Sequence, residues 1–369
     1  MKKMKDETIA VRTGNKPDTA TGGVNTPIHT STSYHYKNSS TLHYPRYNNT
    51  PNLLAVSEKL AALEKTDSAL VFGSGMAAIS TALLGLLSAG DHVVFQSDIY
   101  GGTRKFVETE FHKRGLSYTF VNDLTEQAFR AACRKETKII YAESPSNPLL
   151  HIVDLAMIAK LAKELGVLSF TDSTMASPVN QKPAELGIDV VLHSGSKYLG
   201  GHSDILCGAV CSSSSIMEKI SLSAGLYGGT MDANTAYLLE RSLKSLFVRV
   251  ERHNSNALYI AEFLSGHKKV KTVLYPGLPT HPHHELAKAQ MKAGFGGVLS
   301  FDLHSDDDSV TDLFFDALKM IEPALSFGGV ESLITAPARS SHRSLSNEER
   351  KRAGITPTLM RLSCGIEHR

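Results

Sequence analysis

The chain has little cysteine, no large surplus of either charge sign and no long apolar run uninterrupted by turn residues. Four cysteines (Cys133, Cys207, Cys211, Cys364) in 369 residues do not make a disulfide framework. Cys207 and Cys211 have no further cysteine or histidine pair placed for zinc, so they read as small core residues, and a reducing cytoplasm fits best. Lys+Arg number 39 against 37 Asp+Glu, a net charge of +2, without a long basic block. That balance argues against nucleic acid as the main partner. The start, MKKMKDETIA, has lysines with no apolar run behind them, which is not a secretory pattern. No charge occurs between Asp67 and Asp91, a stretch long enough to cross a bilayer. Yet GSG breaks it early and small polar residues recur, which suits a buried strand, a tight turn and a helix, and no membrane is expected. There is no internal repeat and no low-complexity tract.

What is present is an alternation. SALVF (68–72), HVVFQ (92–96), SYTFV (117–121), KIIYA (138–142), VLSFT (167–171), VVLHS (190–194) and ILCGAVC (205–211) are short, β-branched or aromatic, and mostly apolar. Between them lie helical candidates such as MAAISTALLGLL, RKFVETEFHKRG and DLAMIAKLAKELG, the last closed by glycine. Apolar strands alternating with helices predict an α/β fold, a largely parallel sheet covered on both faces, with function at the strand carboxyl ends. Beyond residue 230 the pattern changes. DANTAYLLERSLKSLFVRVERHNSNALYIAEFL reads as one long, bent helical stretch, followed by KTVLYPG, VLSFDLHS and LMRLSCGIE as strands around two helices of a smaller α+β domain. Length alone suggests two or three domains. The reading divides the chain into a polar, irregular arm (1–50), a large domain (51–235) and a carboxy-terminal domain with its connecting helix (236–369).

Two short stretches carry the chemistry. GSGMAA (73–78) follows a strand and opens a helix, so backbone N–H groups at a helix N-terminus can hold a phosphate. It also satisfies the dinucleotide pattern G-x-G-x-x-A, which keeps a nicotinamide-dependent oxidoreductase as the alternative from another class. No acidic residue closes the next strand, HVVFQ, as that pattern wants. HSGSKYLGGHSD (193–204) places Lys197 beyond the strand IDVVL, among small residues. Ser194 and Ser196 alternate around it, so in an extended chain their hydroxyls share one face and the amine another. Gly200 and Gly201 read as a tight turn. Asp172, in TDST, ends the preceding strand; by itself it could equally be a cap or turn residue. Lys197 alone could be a solvated loop lysine. Together, a lysine for a Schiff base, a carboxylate for a ring nitrogen and a phosphate cradle are what pyridoxal phosphate requires.

At this point the chain resembles the Cys/Met-metabolism family of pyridoxal-phosphate enzymes, the transsulfuration enzymes. YPRYNNTP (44–51), SGMAAI (74–79), YGGT (100–103), ESPSNPLL (143–150), TDSTMASP (171–178), HSGSKYLGGHSD, YPGL–HPHHELAKAQM–GFGG (275–297), SFGGVESL (326–333) and MRLSCGIE (360–367) each resemble a family motif, in the family's order. The resemblance implies fold type I, with a seven-stranded-type large sheet, a smaller α+β domain and an extended amino-terminal arm. It implies Lys197 as the Schiff-base lysine and proton shuttle, Asp172 at the pyridine nitrogen, Asn147 at the ring oxygen, and Tyr100 stacked on the ring near the leaving group. The phosphate would be held by Gly75 and Met76 backbone, by Ser194 and Ser196, and by Tyr44 and Arg46 reaching in from a neighbouring subunit of a homotetramer, a dimer of dimers. Arg361, with Ser326 and Asn147, would clamp the carboxylate of an amino-acid substrate, a job suited to a planar fork. HPHHE (281–285) looks like a metal cluster but lacks helical ligand spacing, and no metal is expected.

The expected reaction is formation or cleavage of a carbon–sulfur bond in a cystathionine-type amino acid: cystathionine γ-synthase or γ-lyase, with β-lyase as the alternative. Gly102 stands where methionine γ-lyases carry cysteine, and sulfhydrylases of the family run longer, so O-acylhomoserine sulfhydrylase and methionine γ-lyase are disfavoured. Ser173 and Leu325 also depart from common family residues; Leu325 stands where many γ-synthases and γ-lyases have glutamate. Ser196 replaces the common threonine and keeps its hydroxyl.

Overall fold

The computed structural model of the protein describes residues 4–369 apart from 306, 341–342 and 344–345; Met1 to Lys3 of the starting stretch lie outside the described residues. The predicted strands form one seven-stranded sheet: β1 (Ser68–Phe72), β2 (His92–Gln96), β3 (Ser117–Val121), β4 (Thr137–Glu143), β5 (Leu168–Asp172), β6 (Val190–Ser194) and β7 (Gly208–Ser212), in the order β1-β7-β6-β5-β4-β2-β3. Pairing is parallel from β3 across to β6, and β7 runs antiparallel to both its neighbours. The apolar stretch expected from residue 205 enters the sheet only at Gly208.

Strand side chains alternate between the two faces, and each face buries its own core. Val71, Val94, Ile140, Val191 and Cys211 pack with Val56, Leu60 and Leu63 of helix Pro51–Glu64 and with helix Leu155–Leu165. Phe72, Phe95, Tyr141, Phe170 and Leu192 pack with helices Gly75–Leu86, Gly101–Glu110 and Ser214–Tyr227 on the other face. Each fully buried Leu, Val or Phe contributes roughly 1.5–3 kcal/mol, so the sheet is the rigid frame from which strand ends project. Asp154 caps helix Leu155–Leu165 by accepting from the Met157 N–H at 2.9 Å, and Gly166 ends it.

The long helical stretch is two helices, Ala233–Leu243 and Leu246–Ser265, broken at Lys244–Ser245. A second sheet follows: β8 (Val270–Leu274), β9 (Val298–Leu303), β10 (Glu322–Pro323), β11 (Leu333–Thr335) and β12 (Met360–Ser363), in the order β10-β11-β12-β9-β8. Leu299, Phe301, Met360 and Leu362 pack on Ala257 and Ala261 of helix Leu246–Ser265. Helices His284–Gln290, Ser309–Asp316 and Asn347–Arg352 lie between its strands, one more than expected. Among the described residues no helix is long and apolar enough to cross a membrane.

The arm contains a helix that periodicity did not reveal, Asp6–Arg12. A fully buried amine ties it down: Lys59 Nζ donates to Ala10 O at 2.8 Å and to Asn15 Oδ1 at 3.3 Å. Burial pulls this amine down to about 8. Lys59→Met is expected to leave the Ala10 carbonyl unpaired, at a cost of about 1–3 kcal/mol. Hydrogen exchange should then accelerate selectively over residues 6–15, and equal exchange in both proteins would refute the tie.

Candidate functional site

The carboxyl ends of β4, β5 and β6 stand side by side, because Glu143 pairs in register with Asp172 and Asp172 with Leu192. Asp172 is 5% exposed. Its Oδ1 accepts from the Thr174 N–H at 3.0 Å and from the Thr174 hydroxyl. Burial raises its pKa, while Thr174 and the nearby His193 pull the other way. A buried carboxylate of this kind is favourable only with a cationic or donating partner.

Residues 194–201 do not run extended; they coil. Lys197 N–H donates to Ser194 O, Gly200 N–H to Gly195 O at 2.8 Å, and Gly201 N–H to Lys197 O at 2.7 Å. The two serines therefore part. The Ser194 side chain abuts the start of helix Gly75–Leu86, where a Cβ on Gly75 would stand 2.9 Å from Ser194 Cβ. Ser196 instead ties the turn to β7: its Oγ accepts from Cys207 N–H at 2.9 Å and donates to Cys207 O at 3.3 Å. Ser74 caps the helix by accepting from the Ala77 N–H. The Gly75 and Met76 N–H groups, in the first turn, have no intrahelical acceptor. Two free amides and a hydroxyl thus converge where only a residue without a side chain fits. This donor set suits a phosphate monoester.

A polar chain starts from Lys197. Lys197 Nζ donates to Ser326 Oγ at 2.6 Å; Arg361 Nη2 donates to Ser326 O at 2.8 Å and Nη1 to Asn147 Oδ1 at 2.9 Å. Arg361 and Asn147 are 5% and 6% exposed. Arg361 Nε is buried without a partner among the described residues, so the fork has capacity left for an anion. Burial brings Arg361 down to about 10. Burial, and then Arg361, bring Lys197 down to about 8, so a useful fraction of the amine is uncharged near neutral pH. Ser326 carries all this at φ +98°, a conformation that costs energy and is typical of functional sites.

Tyr100 is 44% exposed at the start of helix Gly101–Glu110, and its N–H donates to Glu143 Oε2 at 2.6 Å. Glu143, which sequence reasoning passed over, is buried, and burial and Asp172 push its carboxyl well up. The signal was there: it begins ESPSNP at the end of a core strand. Tyr44 and Arg46 make no contact with this cluster among the described residues. They lie on the chain's own surface, with Arg46 donating to Gly225 O and its guanidinium 5.4 Å from the Tyr44 ring. The HPHHE histidines line a surface cavity of about 460 Å³. Of these, His281 is brought down to about 4 by burial and by its neighbouring histidines.

The residues fit pyridoxal phosphate: a phosphate cradle, a buried carboxylate and a half-buried lysine of lowered pKa at adjacent strand ends. A family profile described as "Cys/Met metabolism PLP-dependent enzyme" matches residues 7–369. The chain is 42% identical over 372 residues to cystathionine beta-lyase of Coxiella burnetii, covering 99% of this chain and 95% of that protein. It is 41% identical over 368 residues to cystathionine gamma-synthase of Mycobacterium leprae, covering 98% and 92%. The crystal structure of cystathionine gamma-lyase from Lactobacillus plantarum complexed with L-serine superposes with a TM-score of 0.94 at 38% identity, covering 99% of this chain and 95% of that one.

Proposed function

The chain belongs to the Cys/Met-metabolism family of PLP-dependent enzymes, and we propose how its residues divide the work of that family. It is a PLP-dependent transsulfuration enzyme that forms or cleaves a carbon–sulfur bond in sulfur amino acid metabolism. Relatives named β-lyase and γ-synthase stand at almost equal identity. Within that range the reading here is cystathionine γ-synthase or γ-lyase, with β-lyase as the alternative.

The observation that carries the residue roles is the chain Lys197–Ser326–Arg361–Asn147, joined to the Ser194–Gly75 cradle by the turn from Ser194 to Lys197 and to Asp172 through Thr174, which accepts from the Ser194 N–H at 2.8 Å. The bound cofactor supplies an electron sink for charge developing on the substrate. Gly75 and Met76 amides and the Ser194 hydroxyl hold its phosphate, while Ser196 holds the turn that presents Ser194 and Lys197. Asp172 would accept the hydrogen bond of the ring nitrogen. Asn147, whose Oδ1 is taken by Arg361, would offer its NH₂ to the ring oxygen, and Tyr100 would stack on the ring near the leaving group. Arg361, through its unpaired edge, and Ser326 bind the substrate carboxylate. Lys197 would hold the cofactor through its amine and, as a base, would take the proton from the substrate Cα and deliver it onward, helped by its lowered pKa.

Tyr44 and Arg46, exposed and without a contact to this chain's own cluster among the described residues, reach a neighbouring subunit's phosphate in a homotetramer built as a dimer of dimers. The arm (1–50) makes that contact, residues 51–235 bind the cofactor, and 236–369 complete the substrate side. The protein works in the cytoplasm on a small amino acid. Product analysis decides regiochemistry. Cystathionine giving cysteine and 2-oxobutyrate, or an activated homoserine ester with cysteine giving cystathionine, is the expected outcome; pyruvate and homocysteine would overturn the γ assignment.

A further inference from the structure

Arg249 sits on helix Leu246–Ser265, one turn in, and is 4% exposed. A buried guanidinium normally meets a carboxylate. This one meets neutral oxygens: Tyr198 O at 2.7 Å from Nη1, Ser242 O at 2.9 Å and Leu199 O at 3.5 Å from Nη2, and Ser245 Oγ at 3.2 Å from Nε. Burial alone lowers it, to about 10.

Those carbonyls are not a random set. Ser242 O is at the carboxyl end of helix Ala233–Leu243. Tyr198 O and Leu199 O are at the carboxyl end of the turn that starts at Ser194 and contains Lys197. Ser242 O also accepts from the Ser245 N–H at 3.2 Å and hydroxyl at 3.1 Å, and both ends present the negative pole of aligned peptides, which a cation caps. One planar fork joins them, where an ammonium would reach fewer at once. The turn is shaped to receive it: Gly201 has φ +69°, and a Cβ there would stand 2.0 Å from Arg249 Nη1. Its N–H is spent on Lys197 O at 2.7 Å. So the backbone of Lys197 is held from below by the residue against which the guanidinium lies.

We propose that Arg249 is a positioning residue for Lys197, capping the lysine turn from the neighbouring helix so that Nζ is presented at the cofactor aldehyde. This rests on Lys197 being the lysine that carries the cofactor. Without the fork, the Tyr198 and Leu199 carbonyls lose their partner, the turn is free to open, and the amine samples positions away from Ser326.

The test is borohydride trapping of pyridoxal phosphate on the full-length, cofactor-stripped protein, with the labelled lysine mapped by mass spectrometry. Wild type should label at Lys197. Arg249→Ala should label there about tenfold more slowly or worse, Arg249→Lys should fall between, and millimolar guanidinium, but not ammonium, should restore the rate of Arg249→Ala. Trapping at the wild-type rate in Arg249→Ala overturns the inference, and so does a slow rate that guanidinium leaves unchanged. Should Arg249→Ala fail to fold, Gly201→Ala displaces the guanidinium while keeping it; slow trapping is expected, and a wild-type rate overturns the inference. A wild-type label on another lysine defeats the site reading itself, before any variant is compared.

Discussion

Lys197→Ala is expected to lose the visible absorbance of the lysine-bound cofactor and to lower turnover by about a hundred- to ten-thousand-fold from lost proton transfer alone. The methyl leaves Ser326 Oγ and the Phe327 ring, which lies 5.2 Å from Nζ, without the amine, but strands no buried charge. The fold should therefore survive. The pH dependence has a definite sign. The folded amine titrates near 8, below its ordinary 10.5, because burial disfavours the charged form. Between those values the unfolded chain holds a proton that the folded chain lacks, so stability of the cofactor-free protein rises with pH across that window. Lys59 is depressed to about 8 as well and contributes in the same direction. Lys197→Ala should remove part of the rise and leave the Lys59 part. A variant that keeps both the absorbance and the full rise would place the cofactor elsewhere.

The parts of this protein that could be read in advance are those governed by local pattern. Seven short apolar runs became seven strands because all but the edge strand β3 are largely buried on both faces, and each is bounded by turn residues. Lys197, Asp172 and Gly75 announced themselves by standing at strand ends among small neighbours. What escaped depends on distant contacts. Helix Asp6–Arg12 is short and polar and is held by Lys59, far along the chain, so no periodicity marked it. The break at Lys244–Ser245 has no proline or glycine; it coincides with Arg249 taking the Ser242 carbonyl. Arg249 and His253 lie in the buried stripe of their helix with Leu246, Val250 and Ala257, positions where pattern alone anticipates apolar residues. The serine pair separated because alternation holds only for extended backbone, and the turn that presents Lys197 gave Ser196 to Cys207. Long-range polar partners, more than hydrophobic pattern, set the fine geometry of the site.

Asp172→Asn separates two roles that the geometry allows one side chain to combine. The carboxylate makes a local turn with Thr174 through Oδ1, and an asparagine oxygen can accept both of those bonds, so the turn survives. What the amide cannot supply is negative charge at the end of β5. Removing one partner of a buried, hydrogen-bonded charge pair costs about 2–5 kcal/mol, which corresponds to a fall in turnover of roughly thirty- to several-thousand-fold. Cofactor affinity should fall as well, and the visible band should respond to pH differently, because the ring nitrogen no longer has an anion to hold its proton. Thermal stability of the cofactor-free protein points the other way. Burial raises the Asp172 pKa above its ordinary value, so the ionised carboxylate is a cost to the folded state above that range, and the neutral amide should be tolerated or mildly stabilising at neutral pH. Lower activity with equal or higher stability is the signature of a charge kept for the cofactor. Unchanged turnover in Asp172→Asn would reduce the residue to its turn with Thr174.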